Sequence, residues 1–248
     1  MANGDWLATL DRDGGAMLRG VLPEDELRVL ASSLDEAFRR EQETTESVRQ
    51  RSGQVYAVRN VLAICPEVVR QWRHPQLVEA VRRVLGDGAG LVRGLYFDKP
   101  PDQTWALPWH KDLTIAVCER QGDPPSGYSP FRRRAGVPHC EPPLSVLEGM
   151  LTLRIHLDAM TDENGPLEIL PGSHRTGKRL QIDQFEPVTL HAAAGDVLLM
   201  RPLLVHCSGK SRPQTGQHRR ILHLEFAASA QLPSDVRWAE FHPLAQQD

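Results

Sequence analysis

Apolar residues recur at spacings of three and four in two segments of the first third of the chain. Between Pro23 and Arg40 this spacing leaves one apolar face, and acidic residues open the segment where a helix dipole favours negative charge. The apolar residues are Leu27, Leu30, Leu34 and Phe38. From about Pro66 to Leu85 a second helical pattern ends at Gly86, and its His74-Pro75 step predicts a break into two helices.

After Gly90 the pattern changes to short apolar or alternating runs, which are typical of strands. The predicted strands are Leu91 to Phe97, Leu113 to Cys118, Met150 to Asp158, Leu167 to Leu170, Val188 to His191, Val197 to Met200, Leu203 to His206 and Arg220 to Phe226. Helices followed by about eight strands predict a mainly β fold, an antiparallel double sheet buttressed by the N-terminal helices.

The strand from Met150 to Asp158 alternates without exception. One face carries Thr152, Arg154, His156 and Asp158, and the other carries Leu151, Leu153, Ile155 and Leu157. Two interpretations stay open at this point. The polar face either meets water at the surface of an antiparallel sheet or lines a polar cavity.

The chain has 248 residues, 40% of them apolar, which is enough for one large hydrophobic core. We therefore expect a single domain over residues 1–248, with two small domains as the alternative. Residues 1–89 are expected to be mostly helical and residues 90–228 to form the sheet core. The segment from Glu119 to Pro143 shows neither period, and loops of that length are usually lids, binding loops or disordered segments.

Charge and cysteine content narrow the classes of partner. A net charge of -3 provides no broad basic surface, which disfavours nucleic acid and favours a small-molecule substrate. Four dispersed cysteines form no Cys-x-x-Cys pair, as expected of reduced thiols in the cytoplasm. No stretch approaches the roughly 20 apolar residues that cross a bilayer, so we expect a cytoplasmic protein without a membrane partner. The pattern does not indicate an oligomeric state.

Four His-x-Asp or His-x-Glu pairs each offer two of the ligands of an iron(II) site made of two histidines and one carboxylate. The pairs are His110 with Asp112, His139 with Glu141, His156 with Asp158, and His223 with Glu225. Because all four have the required spacing, the spacing does not select one of them.

The position of each pair along the chain separates them. His223 lies in the last predicted strand, with no later strand to deliver a third ligand, and is a poor candidate. His139 lies in the proline-rich loop, where it is more suited to contact a substrate. His156 lies within a strand, where it can bind a metal or line a pocket. His110 enters a strand after a loop, a place that often carries function, and His206 is then available as the third ligand.

His206 ends the apolar run Leu203 to Val205, so a core or edge position is the alternative for it. A basic residue on the next strand favours the metal interpretation, since a guanidinium binds a carboxylate with two parallel hydrogen bonds. Arg219 and Arg220 are both present there. Neighbouring residues point to opposite faces of a strand, so one of them faces the site.

Between Leu91 and Phe226 the chain resembles the phytanoyl-CoA dioxygenase family of iron(II) and 2-oxoglutarate oxygenases. The matching pieces, in order, are Asp98 to Pro101, Pro108 to Leu113, Asn164 to His174, His206 to Gly209 and Arg219 to Leu222. The piece over 164–174 is the most specific. The resemblance implies a double-stranded β-helix, a cupin-like jelly roll, with the N-terminal helices on the outer face of one sheet.

The resemblance also implies that His110, Asp112 and His206 hold Fe(II) and form the catalytic centre. The implied activity couples oxidation of 2-oxoglutarate by O2 to hydroxylation of an unactivated carbon of a small molecule. Related halogenases carry a small residue in place of the carboxylate, so Asp112 favours hydroxylation. The alternatives are a jelly-roll metal-binding protein without oxygenase activity and a cupin-type isomerase or hydrolase with another divalent metal.

For the cosubstrate, the resemblance implies that Arg219 binds the far carboxylate of 2-oxoglutarate with help from Ser208. Thr152 and Arg154 fall on the strand that borders the cosubstrate in the family. His156 then becomes a pocket residue rather than a ligand.

Basic residues near these positions suggest an anionic substrate as an option. They are Lys111, Arg154 and the run Arg132 to Arg134. The alternative for the run is a solvated cluster on a loop. Cys207 is expected to serve packing.

Overall fold

The computed structural model describes residues 5–41, 48–51, 54–101 and 105–244. Its helices are α1 (Trp6–Asp13), α2 (Glu24–Glu41), α3 (Val61–Ile64), α4 (Glu67–Gln71), α5 (Pro75–Leu85) and α6 (Leu144–Glu148). Its strands are β1 (Gly15–Leu18), β2 (Val48–Arg51), β3 (Gln54–Val58), β4 (Gly90–Lys99), β5 (Leu107–His110), β6 (Ile115–Ala116), β7 (Arg132–Arg134), β8 (Val137–Cys140), β9 (Met150–His156), β10 (Leu167–Ile169), β11 (Val188–Leu190), β12 (Val197–Met200), β13 (His206–Ser208), β14 (Arg219–Ala227) and β15 (His242–Pro243).

Antiparallel pairing joins twelve of these strands into a large and a small sheet, and β6, β7 and β8 form a third. The large sheet has the order β1-β12-β9-β14-β4-β3-β2, with β15 beside β4, and the small sheet has the order β11-β10-β13-β5. Neighbours in both sheets are mostly distant in sequence, as in a jelly roll. The mainly β, jelly-roll fold predicted from the sequence is therefore confirmed.

The helices cover the outer face of the large sheet. The apolar stripe of α2 and that of α5 are buried in one cluster with the outward leucines of β9 and β14. Trp72 contacts Phe226 edge to face, with ring centroids 5.0 Å apart. Burying each large apolar side chain stabilises the fold by about 1.5 to 3 kcal/mol, so this layer holds the large sheet in place. The predicted break at His74-Pro75 is confirmed, since α4 ends at Gln71 and α5 begins at Pro75.

The inner face of the large sheet is polar and buried. Thr152, Arg154 and His156 all lie on this face of β9, and none exposes more than 7% of its surface. Of the two interpretations of the alternating strand, exposure of the polar face to water is wrong, since Thr152 to His156 are buried and Arg154 lines a cavity. Asp158, predicted on the same face, lies beyond the end of β9 and pairs with Arg220 instead.

Two strand predictions were wrong in extent. Residues 203–205 form a turn, and the strand begins at His206. Their side chains are apolar because the turn is buried within the core. The predicted strand from Leu113 to Cys118 shrinks to Ile115–Ala116.

The segment from Glu119 to Pro143 is more ordered than its sequence indicates. It contains the hairpin of β7 and β8, which pairs with β6 in a small third sheet. The hairpin turns at Ala135 and Gly136, both with positive φ, which matches the twist that two-residue hairpin turns require. Ala135 is an unusual residue for that conformation, so the turn has no sequence signal.

The N-terminal part also contains strands that the sequence did not indicate. It contributes β1, which pairs with β12, and the β2-β3 hairpin, which extends the large sheet. The single domain over 1–248 stays a prediction, and residues 1–4, 42–47, 52–53, 102–104 and 245–248 of it lie outside the described residues. Within the described part, no helix is long and apolar enough to span a membrane. The four cysteines are all free thiols.

Candidate metal centre and ligand cavity

Two neighbouring strands of the small sheet bring three side chains together. His110 ends β5 and lies directly opposite His206 at the start of β13. Asp112 follows two residues after β5, where its backbone N–H donates to Pro202 O at 2.9 Å. Its carboxylate oxygens lie 3.9 Å from His110 Nε2 and 3.7 Å from His206 Nε2. One ligand atom from each residue falls within 4.8 Å of the other two.

Backbone carbonyls determine which nitrogen of each imidazole carries the proton. His110 Nδ1 lies 2.7 Å from Pro108 O, and His206 Nδ1 lies 3.0 Å from Leu204 O. A carbonyl oxygen accepts only, so Nδ1 is protonated in both rings. The lone pair of each neutral ring is then on Nε2, which faces Asp112. Metal-binding histidines are commonly oriented by such bonds on the other ring nitrogen.

The charges of the cluster suit a cation. Burial raises the pKa of Asp112, but the nearby His206 and His223 lower it more, to about 2. Burial lowers the pKa of His206 to about 4. At neutral pH the cluster therefore holds a carboxylate and a neutral imidazole, the forms that bind a divalent metal. Asp112 Oδ2 is buried and has no hydrogen-bond partner among the described residues, so this donor set fits Fe(II).

A cavity opens beside the cluster, between the two sheets. Its apolar walls include Leu95, Phe97, Trp105 and Leu167. Two guanidinium groups, those of Arg154 and Arg219, also line it. Burial and the charge of Arg154 lower the pKa of Arg219 to about 9. Two like charges enclosed in one cavity repel each other, so the cavity is suited to an anion that lies between them.

The structure separates the two adjacent arginines of β14. Arg219 faces the cavity, is 3% exposed, and leaves its Nε without a hydrogen-bond partner in the described part of the chain. Arg220 faces outward and donates from Nε and Nη2 to the two oxygens of Asp158, at 2.9 and 2.8 Å. Arg219 is therefore the one available to a ligand.

Ser208 lines the cavity, and a lysine that the sequence did not single out lies behind it. Lys99 is fully buried opposite Arg219 in the β4-β14 register, and its Nζ donates to Ser208 Oγ at 3.1 Å and to Gly209 O. Burial and the charge of Arg219 lower the pKa of Lys99 to about 6. The alternation of β4 places Lys99 on the same face as Phe97, which is the signal that could have indicated it.

Thr152 and His156 flank Arg154 on the inner face of β9, outside the lining of the cavity at the metal cluster. Thr152 Oγ1 and both ring nitrogens of His156 have no partner among the described residues. Burial lowers the pKa of His156 to about 3. His156 lies apart from the three clustered residues.

Apart from Leu167, which lines the cavity, the most specific sequence piece, over 164–174, supports the site from outside. Asn164 Nδ2 donates to Ala159 O at 2.7 Å and to His218 O at 3.1 Å, which fixes the backbone before Arg219. Ser173 Oγ accepts from the N–H of Val205 at 2.9 Å, which fixes the backbone before His206. These residues therefore place the ends of β13 and β14.

Other candidates lie away from the cavity. Lys111 points into a loop, where its Nζ donates to Ser173 O at 3.0 Å, Thr176 Oγ1 at 2.9 Å and Gly177 O at 2.6 Å. Arg132–Arg134 is exposed on the hairpin. Lys111 and Arg132–Arg134 therefore do not converge on the cavity, and the alternative of a solvated cluster fits the run. His139 is buried in β8, with Nδ1 bonded to Val137 O, and is not in the metal cluster.

His223 was set aside as a metal ligand, and it is not in the cluster. It nevertheless lines the cavity. Its place could have been inferred from the period of β14, because residues 219, 221, 223 and 225 share one face.

Known proteins resemble this chain in sequence and in fold. A family model for phytanoyl-CoA dioxygenase matches residues 10–221. An L-proline trans-4-hydroxylase of Streptomyces griseoviridis is 26% identical over 166 residues, which are 67% of this chain and 53% of the relative. The peroxisomal phytanoyl-CoA dioxygenase of Mus musculus is 25% identical over 185 residues, 66% of this chain and 46% of the relative. The chain thus spans about half the length of these curated relatives.

A solved structure supports the fold over most of the chain. The crystal structure of EctD from S. alaskensis with 2-oxoglutarate and 5-hydroxyectoine matches with a TM-score of 0.67 at 19% identity. The match covers 90% of this chain and 74% of that one.

Proposed function

The chain belongs to the phytanoyl-CoA dioxygenase family, and from this premise we propose that it is an iron(II)- and 2-oxoglutarate-dependent dioxygenase that hydroxylates a small molecule. The family and its structural relatives are non-haem iron oxygenases that use 2-oxoglutarate. One observation carries the proposal for this chain. The carboxylate of Asp112, ionised and with a buried unpartnered oxygen, lies within 4 Å of the Nε2 atoms of His110 and His206.

In this proposal His110, Asp112 and His206 hold Fe(II). Bound iron would supply the activation of O2, coupled to oxidative decarboxylation of 2-oxoglutarate to succinate and carbon dioxide, with one oxygen atom passing to the substrate carbon. Three protein ligands leave positions open for cosubstrate and oxygen. Retention of the carboxylate at Asp112 favours hydroxylation over halogenation.

The remaining polar residues bind and orient the cosubstrate. Arg219 neutralises its far carboxylate with two charged hydrogen bonds, and Ser208, which Lys99 orients, donates a third. Arg154 borders the cosubstrate from β9, whereas Thr152, expected beside it, lies outside the cavity lining. Because Arg219 is held on a strand between β4 and β9, its guanidinium is fixed before the ligand arrives, which lowers the entropic cost of binding.

The apolar wall excludes water. Phe97 and Trp105 pack together with ring centroids 6.4 Å apart, and Leu167 also lines the cavity. A dry cavity strengthens each charged contact with the cosubstrate and keeps reactive oxygen species from bulk solvent.

The proposed substrate is a small molecule rather than a nucleic acid. The relatives include a proline hydroxylase and a protein crystallised with 5-hydroxyectoine, both of which concern small molecules. A cytoplasmic location, expected from the sequence, stays a prediction.

Succinate formation tests the proposal. Purified protein with Fe(II), ascorbate, air and 2-oxoglutarate is expected to release succinate slowly even without its substrate, and Asp112→Ala is expected to abolish release. Absence of succinate, together with activity in an isomerase or hydrolase assay that survives Arg219→Met, would favour the cupin-type alternative. Metal binding without either activity would favour a non-catalytic jelly roll.

A further inference from the structure

A network of buried polar side chains crosses the inner face of the large sheet, starting at Arg154. The Arg154 Nη1 lies 3.3 Å from His223 Nδ1, and His223 Nε2 lies 3.3 Å from Glu225 Oε1. Arg93 completes the network with an ion pair to Glu225. The metal centre, as proposed above, uses none of the last three residues.

Strand register explains why these residues meet. His223 of β14 lies opposite Arg154 of β9, and Glu225 lies opposite Arg93 of β4. Directly opposed residues of antiparallel strands point to the same face. Each of the four residues exposes 8% of its surface or less, so the whole network is shielded from water.

The donors and acceptors of this network can be assigned. Burial raises the pKa of Glu225, but Arg93 and His223 hold it below its usual value, so Glu225 is an anion that accepts only. His223 therefore donates from Nε2, and in its neutral form its Nδ1 accepts from Arg154. Phe97 packs edge to face against the His223 ring, with centroids 6.1 Å apart and planes at 87°. Together these contacts fix the orientation of the Arg154 guanidinium.

Part of that guanidinium is left for a ligand. Arg154 Nε is buried and has no hydrogen-bond partner in the described part of the chain, and Arg154 lines the cavity next to the three clustered residues. The negative charge of Asp112 raises the pKa of Arg154, although burial lowers it more. A buried guanidinium with unused donors is costly unless a ligand completes its bonding. A carboxylate matches its two parallel donors.

We propose that Arg154, held in place by His223, Glu225 and Arg93, forms a second carboxylate-binding subsite in the cavity, separate from the one at Arg219. The ligand is the carboxylate of a small molecule bound next to the metal centre. Two sources fit: the oxo-acid end of 2-oxoglutarate, or a carboxylate on the molecule to be hydroxylated. The first source rests on the proposed function. His223 and Glu225 are positioning residues, because they act on the ligand through Arg154.

Two binding measurements on zinc-substituted protein distinguish the sources. Calorimetry gives the Kd of 2-oxoglutarate, and NMR titration with acetate, in the presence of excess 2-oxoglutarate, reports a second carboxylate site. If 2-oxoglutarate occupies the subsite, Arg154→Met raises its Kd by about 100-fold or more, the cost of two lost charged hydrogen bonds. If the substrate occupies it, that Kd is unchanged and Arg154→Met abolishes acetate binding.

A double-mutant cycle tests the positioning role. In the wild-type background, His223→Leu is expected to weaken binding of the carboxylate at Arg154 by about three- to tenfold, the typical effect of one lost hydrogen bond. In the Arg154→Met background it is expected to have no further effect. Equal effects in both backgrounds would overturn the role of His223. Unchanged binding of both 2-oxoglutarate and acetate in Arg154→Met would overturn the subsite itself.

Controls separate binding from folding and from the proposed function. Removing Glu225 alone leaves Arg93 buried and unpaired, which destabilises the fold. The double variant Arg93→Met/Glu225→Met replaces both charges with apolar groups and so tests the support of His223 in a folded protein. It is expected to match His223→Leu. Arg220→Met, on the outer face, is expected to leave both titrations unchanged. If wild-type protein binds no 2-oxoglutarate but binds acetate through Arg154, the proposed function fails and the subsite stands.

Discussion

Replacing each of the two adjacent arginines of β14 by methionine gives the sharpest separation of binding from stability. Arg219 is 3% exposed in the cavity, whereas Arg220 pairs with Asp158 on the outer face, where the two side chains are 28% and 21% exposed. Two charged hydrogen bonds to a carboxylate contribute about 1.5 to 3 kcal/mol each. We therefore expect Arg219→Met to lose about 3 to 6 kcal/mol of 2-oxoglutarate binding, a rise in Kd of about 100- to 10,000-fold.

Arg220→Met is expected to act on stability instead. A partly exposed ion pair contributes about 1 kcal/mol or less, which corresponds to a fall in Tm of about 2 to 4 °C for a chain of this size. Calorimetric titration with 2-oxoglutarate and thermal unfolding by circular dichroism, on both variants, measure the two effects. Equal loss of 2-oxoglutarate affinity in both variants, or loss in Arg220→Met alone, would refute the assignment of Arg219 to the cosubstrate.

Three further outcomes follow from the site and its supports. Removing divalent metal with a chelator is expected to lower Tm, since a ligand of the native state stabilises it, and the fall should be absent in Asp112→Ala. Gly165→Ala should destabilise by more than Gly122→Ala: both have positive φ, but a Cβ at Gly165 would lie 2.4 Å from Gly209 O, whereas Gly122 has open space. The free energy of unfolding of metal-free protein, measured in urea, should fall as the pH drops from about 6.5 towards about 3. In this range the unfolded chain protonates His156, whereas the buried ring of the folded protein, with a pKa of about 3, stays neutral. His156→Leu should make the fall in stability with pH shallower, and an unchanged dependence on pH would contradict the role of His156.

Local periodicity was sufficient for the elements that carry the site. The one-sided pattern from Pro23 to Arg40 predicted the buried face of α2, and the alternation from Met150 predicted which residues of β9 share a face. The order of the family pieces then selected His110, Asp112 and His206 among four equivalent pairs, and the structure brings those three together. Their role as metal ligands stays a prediction.

Features that depend on which segments meet could not be predicted. Lys111 looked like a cation beside the metal, but its partners are carbonyls of a loop more than 60 residues away. The run Leu203 to Val205 has the composition of a strand because a buried turn needs the same apolar residues. His223 was judged only as a metal ligand, and its contact with Arg154 arises from strand pairing over 69 residues.

Anaerobic addition of 2-oxoglutarate to the Fe(II)-loaded protein tests the central claim most directly. We predict one iron per chain and a new visible absorption band that saturates with 2-oxoglutarate, both lost in Asp112→Ala, with the band requiring far more 2-oxoglutarate in Arg219→Met. Tight, stoichiometric iron without any band, or a band that persists unchanged in Asp112→Ala, would contradict the assignment of this site to iron and 2-oxoglutarate.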